Sequence, residues 1–215
     1  MAFRIEAAAL ACLMALPAMC SEYRVRHVHL RNGVEGVLRI DKDSIAFVEA
    51  GKHAEHSRTW KFDDIRRLTL GAAMLRVQTY EGRNREWVFD GAPKELAAEW
   101  YPVFSKRLDQ RFVAALADDA VAPEWQIPAK LRKGVQGALL VSTGLVVFRS
   151  DAAGESRTWR IGDIDSVTSD GRFDLMVTTR EREFHFELKQ ALPEARYQEL
   201  WRRVNRAQGL EILND

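Results

Sequence analysis

Three histidines near the start of the chain, His27, His29 and His56, are the side chains best suited to holding a metal ion. His27 and His29 are two residues apart in a run with the alternating pattern of a β-strand, so we expect both on one face. His56 follows in a polar loop, and imidazole nitrogens bind zinc or copper. The sequence leaves two interpretations open, a metal site covered by that loop or a solvated strand face.

A short basic cluster, Lys130, Arg132 and Lys133, could attract an anionic membrane surface. The chain as a whole has 32 Lys and Arg against 31 Asp and Glu, a net charge of +1. Such a balance gives no long-range field of the kind that captures nucleic acid. We therefore predict no nucleic-acid partner, and any charged site has to be local.

Two arginine and tryptophan pairs share a strand face, Arg58 with Trp60 and Arg157 with Trp159. One interpretation is a pair of core tryptophans, each with the neighbouring arginine stacked at its edge, because large aromatic side chains dominate small cores. The other is a ligand platform formed by the arginine and the tryptophan. The spacing alone does not choose between them.

Motifs of known chemistry are missing from the sequence. It contains no G-x-S-x-G nucleophile elbow, no phosphate-binding G-x-x-x-x-G-K-[ST], no H-E-x-x-H and no G-x-G-x-x-G. We predict no catalytic residue and no cofactor, so binding is favoured over catalysis.

The candidate residues belong to an internal repeat. Ser-Arg-Thr-Trp at 57–60 returns unchanged at 156–159, 99 residues later. Gly-Val-Glu-Gly at 33–36 returns as Gly-Val-Gln-Gly at 134–137, 101 residues later. Small shifts in offset are what insertions and deletions in loops produce, so the order of these matches predicts a duplicated unit.

Each copy has a strand-like period of two that changes to a helical period near its end. In the first copy six short strands are predicted between residues 37 and 89, and a further strand at 23–30 precedes them. The helix that follows is predicted to open at Pro93, and that of the second copy at Pro193. The apolar residues expected on one face of the two helices are Leu96, Trp100, Phe104, Leu108 and Phe112, then Tyr197, Leu200, Trp201 and Val204.

This order of elements resembles the pleckstrin-homology-like (PH-like) superfold, in particular its short bacterial PH and GRAM-like versions. The resemblance lies in the Gly-Val-Leu strand at 36–38, the tryptophan corners at Trp60 and Trp159, and the helix residues Trp100 and Trp201. It implies a sheet that serves phosphoinositide binding, peptide binding or scaffolding, and fold alone does not select among them. The predicted fold class is mainly β with helices (α+β), as two PH-like partly open β-barrels or sandwiches, each capped by a C-terminal amphipathic helix.

Residues 1–20 have the composition of a secretory signal peptide. Arg4 precedes an uncharged run at 7–16, which is much shorter than the roughly 20 residues that span a bilayer. Both cysteines, Cys12 and Cys20, lie in this segment. We predict an exported protein, periplasmic or secreted; lipid anchoring through Cys20 is less favoured because Met19 precedes it instead of a small residue.

The predicted organisation is a signal peptide at 1–20, a first PH-like domain at 23–117, a linker at 118–128 and a second PH-like domain at 129–215. The predicted function is that of a non-enzymatic exported binding or scaffolding protein whose partner is a protein or peptide. Two alternatives stay open, a membrane-surface protein that binds anionic lipid and a metal-dependent or small-molecule enzyme.

Overall fold

The computed structural model describes residues 20–29, 32–51, 55–80, 86–108, 112–132 and 134–210. The predicted signal peptide lies outside this range except for Cys20, which is exposed. Within the described segments, no helix combines the length and the apolar character that crossing a membrane requires.

Fifteen β-strands are found in the described residues, and burial alternates along most of them as the period of two predicts. In the order of the chain they are β1 Ser21–His29, β2 Asn32–Ile40, β3 Ser44–Glu49, β4 Arg58–Lys61, β5 Ile65–Gly71, β6 Met74–Thr79, β7 Glu86–Asp90, β8 Phe112–Ala115, β9 Trp125–Leu131, β10 Gln136–Val141, β11 Leu145–Ser150, β12 Arg157–Arg160, β13 Ile164–Thr168, β14 Asp174–Thr179 and β15 Glu183–Leu188.

Two α-helices lie in the described part of the chain, α1 Lys94–Arg107 and α2 Glu194–Ala207. Each begins one residue after the proline at which it was predicted to open, so Pro93 and Pro193 cap the helices, where the fixed φ near −65° and the missing N–H are tolerated. Helix α1 packs against β5 and β8, and α2 packs against β13 and the 3₁₀ turn Ile161–Asp163.

The strands form one sheet in which the same order occurs twice. From one end to the other the order is β13-β14-β15-β9-β10-β11-β12-β8-β5-β6-β7-β1-β2-β3-β4. The block of β1 to β7 and the block of β9 to β15 thus have equivalent pairings, and we call them, with their helices, the first half and the second half. Strand β8 lies between the halves, parallel to β5 and antiparallel to β12.

The predicted fold class is wrong in its main feature. The described strands belong to a single open 15-stranded sheet instead of two separate barrels or sandwiches, each capped by a helix. The physical reason is strand β8, which the helical spacing of Phe112 assigned to the end of the first helix. That helix ends at Arg107, and the residues after it pair with strands of both halves.

Two clusters of buried side chains form the core, one in each half. Helices α1 and α2 have equal length and start 100 residues apart, so Trp100 corresponds in position to Leu200, and both are buried. The expected equivalence of Trp100 and Trp201 is therefore wrong by one residue. Trp201 falls outside the buried stripe of α2 and is 37% exposed.

Candidate functional site

The repeated Ser-Arg-Thr-Trp motif lies on β12 in the second half, where that strand meets β8. Thr158 is in register with Ala114 and is only 4% exposed. Its hydroxyl group donates a hydrogen bond to the carbonyl oxygen of Leu116 over 2.9 Å and accepts one from the N–H of Asp118 over 3.0 Å. One threonine side chain thereby ties β12 to the segment that follows β8.

Arg160, at the end of β12, makes the second connection between the halves. Its guanidinium group binds both carboxylate oxygens of Asp163, over 2.6 and 2.9 Å. The same group donates to the carbonyl oxygen of Ser105 in α1 and lies 6.0 Å from the ring centroid of Phe112. One arginine thus binds a carboxylate of its own half and a main-chain carbonyl of the first half, and it lies beside an aromatic ring of β8.

Tyr101 of α1 packs beside this junction, with its ring centroid 5.7 Å from that of Phe112. Burial of the phenol, together with the negative charge of Asp118, raises the pKa of Tyr101 to about 12, although the nearby Arg160 acts in the opposite direction. The side chain is therefore neutral at physiological pH and contributes packing there instead of charge.

The first copy of the motif has a different environment, because β4 is the last strand of the sheet. Thr59, which occupies the place of Thr158, is exposed, whereas Trp60 remains buried. A groove of about 630 Å³ runs beside this edge and is lined by Thr59, Lys61 and Phe62 together with Arg107 from the end of α1. The edge that is covered by β8 in the second half has no neighbouring strand among the described residues of the first.

A cleft of about 580 Å³ lies where the two halves meet, and residues of β5, β6, β8 and the turn after β14 line it. Three arginines, Arg66, Arg67 and Arg180, are among its lining residues. Arg67 donates from Nη2 to the carbonyl oxygen of Arg180 over 2.8 Å, a hydrogen bond that crosses from the first half to the second.

Three carboxylates also line the cleft, and each of them is paired with an arginine outside the lining set. The pairs are Glu86 with Arg76 at 3.4 Å, Asp163 with Arg160 at 2.6 Å and Glu181 with Arg157 at 3.4 Å. Since these carboxylates are already paired, they are not needed to balance the lining arginines Arg66 and Arg67.

The two tryptophans of the suggested ligand platform are packed inside the protein. Trp60 is 6% exposed and Trp159 is 4% exposed. Each meets another aromatic ring edge-on, Trp87 at 5.2 Å and Phe184 at 4.7 Å between centroids. Of the predicted arginine partners, Arg58 is exposed on β4 and Arg157 forms an ion pair with Glu181. Trp159 lines the cleft between the halves, and Trp60 does not.

The predicted metal ligands come together only in part. His27 is 2% exposed, stacks on Trp87 with 4.6 Å between centroids and lies 6.1 Å from the ring of His56. His56 contacts the carboxylate of Glu49 over 3.2 Å, whereas the side chain of His29 lies outside the described part. Within the described residues no three His, Cys, Asp or Glu side chains could hold a metal ion together.

The predicted basic cluster has acidic neighbours. Lys130 on β9 forms an ion pair of 3.8 Å with Glu187 on β15. Arg132 lines a separate groove of about 480 Å³ that also contains Asp170 and Asp174. Lys133 lies outside the described residues. The membrane-surface hypothesis stays a prediction without a continuous basic patch among the described members of the cluster.

Two features of the site were not found from the sequence, the role of Thr158 and the arginines of the cleft. The exact repetition of Thr59 as Thr158 was a signal for the first, but attention fell on the arginine and tryptophan of the same motif. No sequence signal marked Arg66 or Arg180, because they come together only through the pairing of the two halves.

No protein-family model matches the chain. No curated protein matches it. Solved structures do match at low similarity. One is the C-terminal domain of an unknown protein from Leishmania infantum, with a TM-score of 0.32 and 13% identity over 41% of this chain and 81% of that one. The N-terminal PH domain of human ARAP2 matches with a TM-score of 0.35 and 15% identity over 50% of this chain and 91% of that one. The Spt16D Pob3N heterodimer matches with a TM-score of 0.35 and 10% identity over 81% of this chain and 98% of that one. The neighbours thus include a PH domain, and likeness at this level identifies no family for the chain.

Proposed function

We propose that the protein is a non-enzymatic binding protein that takes an extended segment of a partner protein along the outer edge of β4. The supporting observation is the contrast between the two copies of Ser-Arg-Thr-Trp. In the second half the motif lies beside a neighbouring strand, β8, because Thr158 of β12 pairs with Ala114. In the first half the same motif lies at the end of the sheet, on β4, and Thr59 is exposed. Strand addition of this kind gains affinity from main-chain hydrogen bonds.

A different explanation would be an edge built to repel strands, since β4 has only four residues and carries Lys61. Strand β12 argues against it. It is equally short and has Arg160 in the place of Lys61, yet β8 lies beside it. Shortness and a positive charge at that position are therefore compatible with an added strand.

The chemistry of β8 indicates what the partner segment should contain. Its sequence is Phe-Val-Ala-Ala, and the residue in register with Thr158 is Ala114, so an apolar segment with a small side chain at that place fits beside this motif. The carbonyl of Leu116 and the N–H of Asp118 then meet the threonine hydroxyl. We propose an extended apolar segment with a free main-chain carbonyl and N–H opposite Thr59, bound in the exported location that residues 1–20 predict.

A labelled synthetic peptide with the sequence of residues 112–118 is the direct probe, with fluorescence anisotropy as the measurement. Saturable binding to the wild-type protein is expected. Thr59→Val should weaken it by roughly fivefold to thirtyfold, since one or two hydrogen bonds of about 1 kcal/mol each are lost. Thr178→Val, on strand β14, which is paired on both sides with β13 and β15, is the matched control and should leave affinity unchanged.

A second peptide carries proline in the place of Ala114, which removes one main-chain donor and should bind more weakly. The proposal fails if the first peptide shows no saturable binding, or if Thr59→Val and Thr178→Val bind it equally well.

A further inference from the structure

Two arginines of the cleft between the halves, Arg66 and Arg67, are not balanced by an ion pair among the described residues. The three carboxylates of the cleft are each held by an arginine outside the lining set, as described above. Arg66 is exposed and has no ion-pair partner among the described residues, and the hydrogen bond from Arg67 goes to a neutral carbonyl oxygen. Like charges in one cleft repel each other, and an anion between them would relieve that repulsion.

A buried hydrogen-bond donor in the wall of the cleft would also be satisfied by an anion. Trp159 lines the cleft and is 4% exposed, and its Nε1–H has no hydrogen-bond partner among the described protein atoms. Buried N–H groups in proteins are normally paired, and an unpaired one indicates an acceptor that the protein atoms do not provide. An oxygen atom of a ligand, or of a water held by that ligand, would supply this acceptor.

The remaining lining is also suited to a small polar ligand. Thr158 and Thr179 contribute hydroxyl groups, and Gln78 contributes an amide. Tyr80 is 61% exposed at the same cleft and offers an aromatic ring to an organic group. Guanidinium groups bind carboxylate and phosphate in a two-pronged geometry that matches both oxygens of the anion.

We propose that this cleft is a second binding site, independent of the edge of β4, for an oxyanion of a small organic molecule or headgroup. Arg66 and Arg67 bind the phosphate or carboxylate group, and Arg180 holds it from the other half. Because residues of both halves contribute, the ligand also bridges them. No covalent step is involved.

The probes are inorganic phosphate, citrate and vesicles that contain phosphatidylglycerol, tested at low salt. Calorimetry should show saturable binding of phosphate or citrate, and Arg66→Glu should weaken it by roughly tenfold to a hundredfold, as expected for loss of a charged hydrogen-bond pair. Arg172→Glu makes the same charge change at an exposed arginine outside the cleft and should have little effect. Arg66→Lys keeps the charge but loses the two-pronged geometry, and should fall between the wild type and Arg66→Glu.

A nuclear magnetic resonance titration distinguishes binding in the cleft from nonspecific attraction of anions to the protein surface. The indole N–H signal of Trp159, assigned with Trp159→Phe, should shift on addition of the anion, whereas that of Trp60 at the equivalent place in the first half should not. If the protein co-sediments with the vesicles through Arg66 and binds phosphate and citrate only weakly, the oxyanion is that of a lipid headgroup. The proposal is overturned if none of the three probes binds saturably, or if Arg66→Glu and Arg172→Glu weaken binding equally.

Discussion

The same substitution made in the two identical motifs should have very different effects on stability. Thr158→Val keeps the shape of a side chain that is 4% exposed and removes its hydroxyl group. The carbonyl of Leu116 and the N–H of Asp118 then lose their partners at 2.9 and 3.0 Å. At about 1 kcal/mol for each lost hydrogen bond, the free energy of unfolding should fall by about 2 kcal/mol.

The measurement is urea denaturation of the wild type, Thr158→Val and Thr59→Val, followed by circular dichroism. With a slope of roughly 2 to 3 kcal/mol per molar urea, Thr158→Val should lower the midpoint by roughly 0.7 to 1 M. Thr59 is exposed at the end of the sheet, and no hydrogen bond of its hydroxyl is found in the described residues. Thr59→Val should therefore stay within about 0.5 kcal/mol of the wild type.

Two results would refute this reasoning. If Thr158→Val changes the free energy of unfolding by less than about 0.5 kcal/mol, the hydroxyl group does not hold the segment after β8. If Thr59→Val costs as much as Thr158→Val, the motif stabilises its own half in the same way in both copies. In that case the contrast between an occupied and an open edge disappears, and the proposed function loses its support.

Three further predictions concern stability, with denaturation as the measurement. Trp100→Ala should cost about 3 to 5 kcal/mol because the side chain is 0% exposed, whereas Trp201→Ala should cost less than about 1 kcal/mol at 37% exposure. With the pKa of Tyr101 raised to about 12, stability should fall as the pH rises from about 10 to about 12, by less than about 2 kcal/mol for this partly exposed ring, and Tyr101→Phe should make the fall smaller, leaving the part due to Tyr23, whose pKa is also raised. Gly137→Ala should cost about 1 to 3 kcal/mol, because the new Cβ would lie 2.1 Å from the carbonyl oxygen of Arg149, whereas Gly162→Ala has nothing within 4 Å and should be neutral.

The strands and helix starts were predictable because they depend on local pattern. Alternating burial in β6 and β14, and prolines just before α1 and α2, are properties of a few consecutive residues. Strand β8 was not predictable in this way. Its four residues are too few to show a period, and Phe112 continues the i, i+4 spacing of α1. What makes the segment a strand is its pairing with β5 and β12, which are distant in the sequence.

The position of the site was only partly predictable for the same reason. The repeated motif drew attention to Arg157 and Trp159, whose types suggested chemistry, and the structure gives Thr158 the contact with the other half. In a strand with a period of two, Thr158 points away from the face that Arg157 and Trp159 share. The cleft is lined by residues from both halves, and the order of the strands brings these residues together. The repeat alone did not reveal that order, so the lining residues could not be predicted from it.

The two ends of the sheet are not equivalent. This difference favours the addition of a single strand over open-ended polymerisation. The ends, β4 and β13, correspond to β12 and β5, the two strands that meet through β8. At the β4 end the motif is kept unchanged. At the β13 end, Leu70 and Gly71, which pair with β8, are replaced by Ser169 and Asp170.

Those replacements close the β13 edge locally. The hydroxyl of Ser169 donates to the carbonyl oxygens of Gly171 and Asp174 over 2.6 and 2.7 Å, and β13 ends at Thr168, two residues earlier than β5 does at the equivalent place. Repeated head-to-tail addition of copies requires complementary edges at both ends of the molecule. The edge of β4 retains the complete motif, whereas the edge of β13 keeps only Val167 and Thr168 at the places of Leu68 and Thr69, which pair with β8. If the proposed binding takes place at β4, we therefore expect it to stop after one partner segment instead of leading to polymerisation.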